Sequence, residues 1–206
     1  MDMVFVLVTV LRLVVPFCIL RYPFAGLLLA IGADSLDWHV LHLQTSHDYA
    51  FYQQWDKVLD TYYLAFAAYM TLQWKEIAAK RIAVGLYLYR FVGALLFEIT
   101  HFRILLFLFP NLFENFYLFY YVSRYFLSGQ KNKKVYRYSS LSLILLVLLI
   151  PKLLQEYMIH VAKQLPWQAI SFHIGLVADQ LIWTSLYLVL PAITLRYMMR
   201  TPVAHR

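Results

Sequence analysis

The sequence predicts an all-α fold, a polytopic integral membrane bundle of six or seven transmembrane helices forming one domain over residues 1–206. Three observations predict it. Of the 206 residues, 62% are hydrophobic and only 14% charged, and the mean hydropathy is +0.62, so apolar side chains exceed what a soluble domain of this size can enclose. Apolar runs of about 17 to 25 residues recur along the chain, each enough to cross roughly 30 Å of hydrocarbon. The lone cysteine, Cys18, lies inside such a run, which excludes an intrachain disulfide and a thiolate metal site.

Seven apolar segments follow in order. Val4 to Leu20 is interrupted by Arg12 and Pro16, so it either spans or lies in the interface as an amphipathic helix. Its Met-Asp-Met start has no basic flank and no small-residue cleavage site, and predicts no signal peptide. The others are Pro23 to Leu43, Phe51 to Gln73, Ile82 to Glu98, Ile104 to Leu127, Leu141 to Val161 and Ala169 to Tyr197. Pro110, Pro151 and Pro191 fall inside segments and predict kinks. The lysine-rich stretch from Ser128 to Arg137 is the one long loop, and no repeat of 20 to 50 residues is visible.

Orientation follows from the basic residues. Arg21, Lys75, Lys80, Arg81, Arg124, Lys131, Lys133, Lys134, Arg137, Arg196, Arg200 and Arg206 fall at alternate junctions, against Arg103 and Lys163 at the others. The positive-inside rule makes the richer side cytoplasmic and places the C-terminus there. The net charge of +7 thus reports orientation, not nucleic-acid binding.

Acidic residues gather at mid-depth. Asp34 and Asp37 lie on one face of the second segment at i,i+3, and Asp56 and Asp60 on one face of the third at i,i+4. The short connection from Gln44 to Ala50 predicts antiparallel neighbours whose four carboxylates meet at one level. Four ionised, unpaired aspartates at a bilayer centre cost on the order of 10 kcal/mol on the insertion scale, so something compensates them. For oxygen-only ligands one or two divalent cations suffice, Mg²⁺ or Mn²⁺ first, with Ca²⁺ also suited. An Asp/Arg ion-pair network using Lys57 or Arg90, or protonation by burial, are the other solutions.

At these residues the chain distantly resembles the CDP-alcohol phosphatidyltransferases. Their D-x-x-D-G-x-x-A-R and G-x-x-x-D-x-x-x-D stretches are matched by Asp34-Ser-Leu-Asp37-Trp-His-Val-Leu-His42 and Tyr52-Gln-Gln-Trp-Asp56-Lys-Val-Leu-Asp60, within about the first 70 residues. The resemblance implies that Asp34, Asp37, Asp56 and Asp60 ligate metal and that Asp60 is also the catalytic general base on an acceptor hydroxyl. It implies a phosphotransferase of phospholipid metabolism, with membrane lipids and a phosphorylated lipid or nucleotide-activated substrate as partners. Homo-oligomerisation is compatible with this.

Glu98 with His101, Glu156 with His160, and His173 with Asp179 are further acids and histidines on the same side. They are candidates for a second polar cavity with mixed ligands, which suits Zn²⁺ better than Mg²⁺. The alternative for each histidine is an interfacial hydrogen bond. Arg90 is the candidate substrate-phosphate ligand, since a guanidinium fork suits phosphate. Arg12 and Lys152 either share that role or snorkel to the interface. Two other functions use the same residues. One is a small cation or proton transporter, although the apolar stretches Phe24 to Ala33 and Tyr63 to Thr71 predict a dead-end cavity. The other is a non-catalytic membrane partner subunit.

Overall fold

The computed structural model describes residues 3–44, 49–126, 133–157, 185–187, 189–194 and 196–197, with side chains over 3–35, 54–125, 135–157 and the last three stretches. Among the described residues every regular element is helical.

α1 (Met3–Val14) is a wholly apolar helix apart from Thr9 and Arg12. It stops two residues before Pro16, which has no N–H to donate and disfavours helical geometry at the residue before it. α2 (Phe17–Arg21) then resumes the direction of travel. α3 (Pro23–Gln44) opens on a proline at its first helical position, where the missing donor is harmless. α2 and α3 pack closely because Gly26 has no side chain: a Cβ there would collide with the Cys18 and Ile19 backbone.

α4 (Tyr49–Thr71) is followed by a short turn and by α5 (Ile77–Thr100), whose two faces differ in kind. Ala79, Ala83, Gly93 and Ala94 are buried, small residues that let neighbouring helices approach, and Phe97 is buried beyond them. Leu88, Phe91, Val92, Leu95 and Ile99 recur at helical spacing on the exposed side, the stripe a lipid-facing helix carries. α5 ends at His101, a left-handed C-cap with φ 57° whose N–H donates to the Phe97 carbonyl.

The fifth apolar segment is not one kinked helix. It is split at Phe109–Pro110 into α6 (Ile104–Leu108) and α7 (Leu112–Phe126). The break exposes backbone carbonyls inside the bundle, and α5 answers them. The Tyr89 hydroxyl donates to the Leu108 carbonyl, and Arg90 Nη1 donates to the Phe109 carbonyl at 2.8 Å. Gly93 sits under Phe109 so closely that a Cβ would overlap its ring. A 3₁₀ turn (Lys133–Tyr136) leads into α8 (Tyr138–Glu156), which runs through Pro151 without a break.

Three stretches, Met3–Arg21, Ile77–Thr100 and Tyr138–Glu156, are long and apolar enough to cross a membrane. They support a membrane protein; the expected count of six or seven spans goes further than the described residues do. α3 is apolar only over Pro23–Ser35, α4 carries Asp56, Lys57 and Asp60, and the fifth segment is broken at Pro110. The seventh segment lies largely outside the described residues.

The core is aromatic. Phe113, Phe116, Tyr117 and Phe119 on α7 are fully buried against Leu27, Leu64, Leu141, Ile144 and Leu148 from α3, α4 and α8.

Candidate functional site

Asp34 on α3 and Asp56 and Asp60 on α4 converge. One carboxylate oxygen of each lies within 4.8 Å of the other two, and among the described residues this is the group of His, Cys, Asp and Glu close enough to share a metal ion. The i,i+4 spacing turns Asp56 and Asp60 to one face of α4, and the packing of α3 on α4 brings Asp34 to them. Asp37 lies one turn beyond Asp34 in α3, and its side chain is outside the described residues, as are His160, His173 and Asp179.

The charges are answered by two cations. Arg12, on α1 and 3% exposed, places Nη2 at 2.6 Å from Asp34 Oδ1 and 2.9 Å from Asp60 Oδ1, and Nη1 at 2.9 Å from Asp56 Oδ1. Its guanidinium also sits 5.4 Å from the Trp55 ring, and Trp55 in turn packs on Phe5. Lys57 Nζ takes the opposite oxygens, Asp56 Oδ2 at 2.6 Å and Asp60 Oδ2 at 2.8 Å. Of the compensations open from sequence, an Asp/Arg network is therefore formed, but through Arg12 in place of Arg90. Arg12 does not snorkel. A planar fork in the middle of three carboxylates makes several charge-assisted bonds at once, which an interfacial position would forfeit.

Arg90 is buried, bonded to the Phe109 carbonyl, and close enough to Asp60 and Lys57 to add positive potential there. Beside the cluster a narrow crevice lined by Arg12, Pro16, Ala30, Ala33 and Tyr63 leaves no room for a water molecule's centre.

Tyr63 joins this cluster to a second polar group. Its hydroxyl donates to Glu114 Oε2 at 2.7 Å, and Asn111 Nδ2 donates to the same oxygen at 2.9 Å. The Asn111 backbone N–H, freed by the α6–α7 break, points at Glu156 Oε1 at 3.5 Å. Lys152 Nζ lies 3.1 Å from that same oxygen and donates to Gln155 Oε1 at 3.0 Å, which also accepts from the Tyr187 hydroxyl at 2.8 Å. Lys152 thus stays inside the bundle as well. The sequence carried one sign of this group: Lys152 and Glu156 are i,i+4.

Of the expected second cavity, Glu156 belongs to this Lys152 group. Glu98 and His101 lie at the far end of α5: Glu98 Oε1 is buried without a hydrogen-bond partner among the described residues, and exposed His101 packs edge-on to Phe97.

Comparison of the chain with protein-family models, with curated proteins and with solved structures finds no match.

Proposed function

We propose that the chain is a membrane-embedded, divalent-metal-dependent phosphotransferase-like enzyme acting on a phosphorylated lipid or lipid precursor, similar in its chemistry to the CDP-alcohol phosphatidyltransferases. The observation that carries the reading is the meeting of three carboxylates from two helices within 4.8 Å. The donor set is all oxygen, which suits Mg²⁺ or Mn²⁺. Asp34, Asp56 and Asp60, with Asp37 one turn away, are the residues to hold the ion. When bound, it supplies neutralisation of phosphate charge.

This chain's own groups do the rest. Three carboxylates face Arg12 and Lys57, with Arg90 adding positive potential from α5. Arg12 now occupies Oδ1 of all three carboxylates, so metal entry requires it to turn away. A guanidinium so released is placed to bind substrate phosphate in a bidentate manner. Asp60, relieved of Arg12, accepts the proton of the acceptor hydroxyl on a carboxylate oxygen.

The test is thermal melting of the purified chain with and without Mg²⁺ or Mn²⁺, alongside turnover of a CDP-activated lipid. The reading expects metal-dependent stabilisation that Asp56→Asn removes, and product formation that Asp60→Asn removes.

A second reading is favoured by the ion pairs themselves, which at 2.6 to 2.9 Å leave little to gain from an ion. In it the cluster is a permanent clasp of α1 to α3 and α4 in a non-catalytic membrane subunit. It expects no metal response, and loss of stability in every Asp→Asn variant.

A further inference from the structure

We propose that the basic end of the bundle is a docking surface for anionic phospholipid headgroups, separate from the carboxylate cluster. Four chain segments meet there. Arg124 Nη1 on α7 lies 3.1 Å from Glu76 Oε1 in the α4–α5 turn, and Tyr136 of the 3₁₀ turn has its hydroxyl 2.8 Å from Ser123 Oγ. Phe24, just past the α2–α3 junction, packs its ring 6.5 Å from that of Tyr121. The three membrane-crossing stretches also reach this end, at Arg21, Ile77 and Tyr138.

The charge at this end is one-sided. Arg21, Lys75, Arg81 and Arg137 are exposed, and none has a carboxylate within ion-pair distance among the described residues. Glu76, the acid here, is already held by Arg124 and by the Tyr120 hydroxyl. Four cations without a carboxylate partner, Arg21 with its guanidinium over the Tyr22 ring, call for an external layer of negative charge, and a zwitterionic surface offers no net charge to meet them. Tyr22, Tyr125 and Tyr138, 63%, 80% and 52% exposed, stand among them as amphipathic side chains suited to headgroup depth.

A second, independent observation lies just beneath. Trp74 is buried with its ring stacked 3.5 Å from that of Tyr120, and its Nε1 has no hydrogen-bond partner among the described residues. One buried donor without an acceptor beneath a basic rim suits a phosphate or glycerol-ester oxygen of a lipid seated at that end.

The experiment melts the purified full chain in neutral detergent with added phosphatidylglycerol, phosphatidylcholine or inorganic phosphate. Phosphatidylglycerol is expected to raise the melting temperature, and the other two to do so far less. In the Lys75→Gln/Arg81→Gln/Arg137→Gln variant its apparent affinity should fall by roughly a hundred-fold, at roughly five-fold for each of the three charges removed. Trp74→Phe, which keeps every charge, should weaken the response by a few-fold. Equal stabilisation by phosphatidylcholine overturns the proposal, and an equal response to inorganic phosphate reduces it to a simple anion site. If the triple variant fails to fold, salt decides on the native chain. A phosphatidylglycerol response unchanged between about 50 mM and about 500 mM salt overturns the electrostatic docking.

Discussion

Arg12 Nη2 and Asp60 Oδ1 lie 2.9 Å apart across a separation of 48 residues, with the arginine side chain 2% exposed. α1 and α4 are thereby joined through a buried charge, and the pair is held within a wider cluster that includes Asp34, Asp56 and Lys57.

Arg12→Met takes the guanidinium away from Asp34, Asp56 and Asp60 and leaves Lys57 on the last two. Removing one partner of a buried ion pair costs about 3 to 5 kcal/mol, because the remaining charges stay desolvated. A fall in melting temperature of the detergent-solubilised protein is the expected result. Arg12→Lys should recover only part of it, since one ammonium cannot span the three oxygens that the guanidinium reaches.

Tyr63→Phe deletes the hydroxyl that donates to Glu114 while keeping the ring in the core. Loss of a buried hydrogen bond to a charged group costs about 1.5 to 3 kcal/mol. Measured against Tyr69→Phe, where the ring is 58% exposed and the change should be near zero, the difference isolates the buried contact.

Lys152→Met removes the cation beside Glu156, which is 4% exposed, and should destabilise by about 3 kcal/mol or more. The double variant Lys152→Met/Glu156→Gln removes both charges and should be more stable than the single one. A double-mutant cycle in thermal melting reads the coupling directly.

The glycines divide sharply. A Cβ at Gly26 meets backbone and one at Gly93 meets Phe109, so alanine at either position should destabilise by about 1 to 3 kcal/mol or more. Gly32 and Gly85 have nothing within 4 Å of a built Cβ and lie inside helices. Alanine there should be stabilising by about 0.4 to 1 kcal/mol. Equal effects at all four positions would contradict the packing described.

The meeting of Asp34 with Asp56 and Asp60 was legible from the sequence, because a short connection between two long helices and an i,i+4 spacing fix which side chains share a level. The role of Arg12 was not. Its partners are 44 and 48 positions away in two cases, and a single arginine in an apolar run carries no periodic signal of the direction in which it points. Lys152 was hidden in the same way, although its i,i+4 partner Glu156 was visible. Composition points to a helical membrane chain, and among the described residues three stretches are long and apolar enough to span. An apolar run reports length and hydrophobicity, whereas the break at Pro110 depends on whether α5 can supply Tyr89 and Arg90 to the freed carbonyls.

That last dependence bears on how the chain enters a bilayer. A helix interrupted beside Arg90 leaves peptide oxygens that hydrocarbon could not satisfy, since it holds no water. α6 and α7 therefore depend on α5 for the partners of the Leu108 and Phe109 carbonyls. A defect at Arg90 or Gly93 should therefore show first as a failure of these three helices to fold together, read as a lowered yield of folded protein.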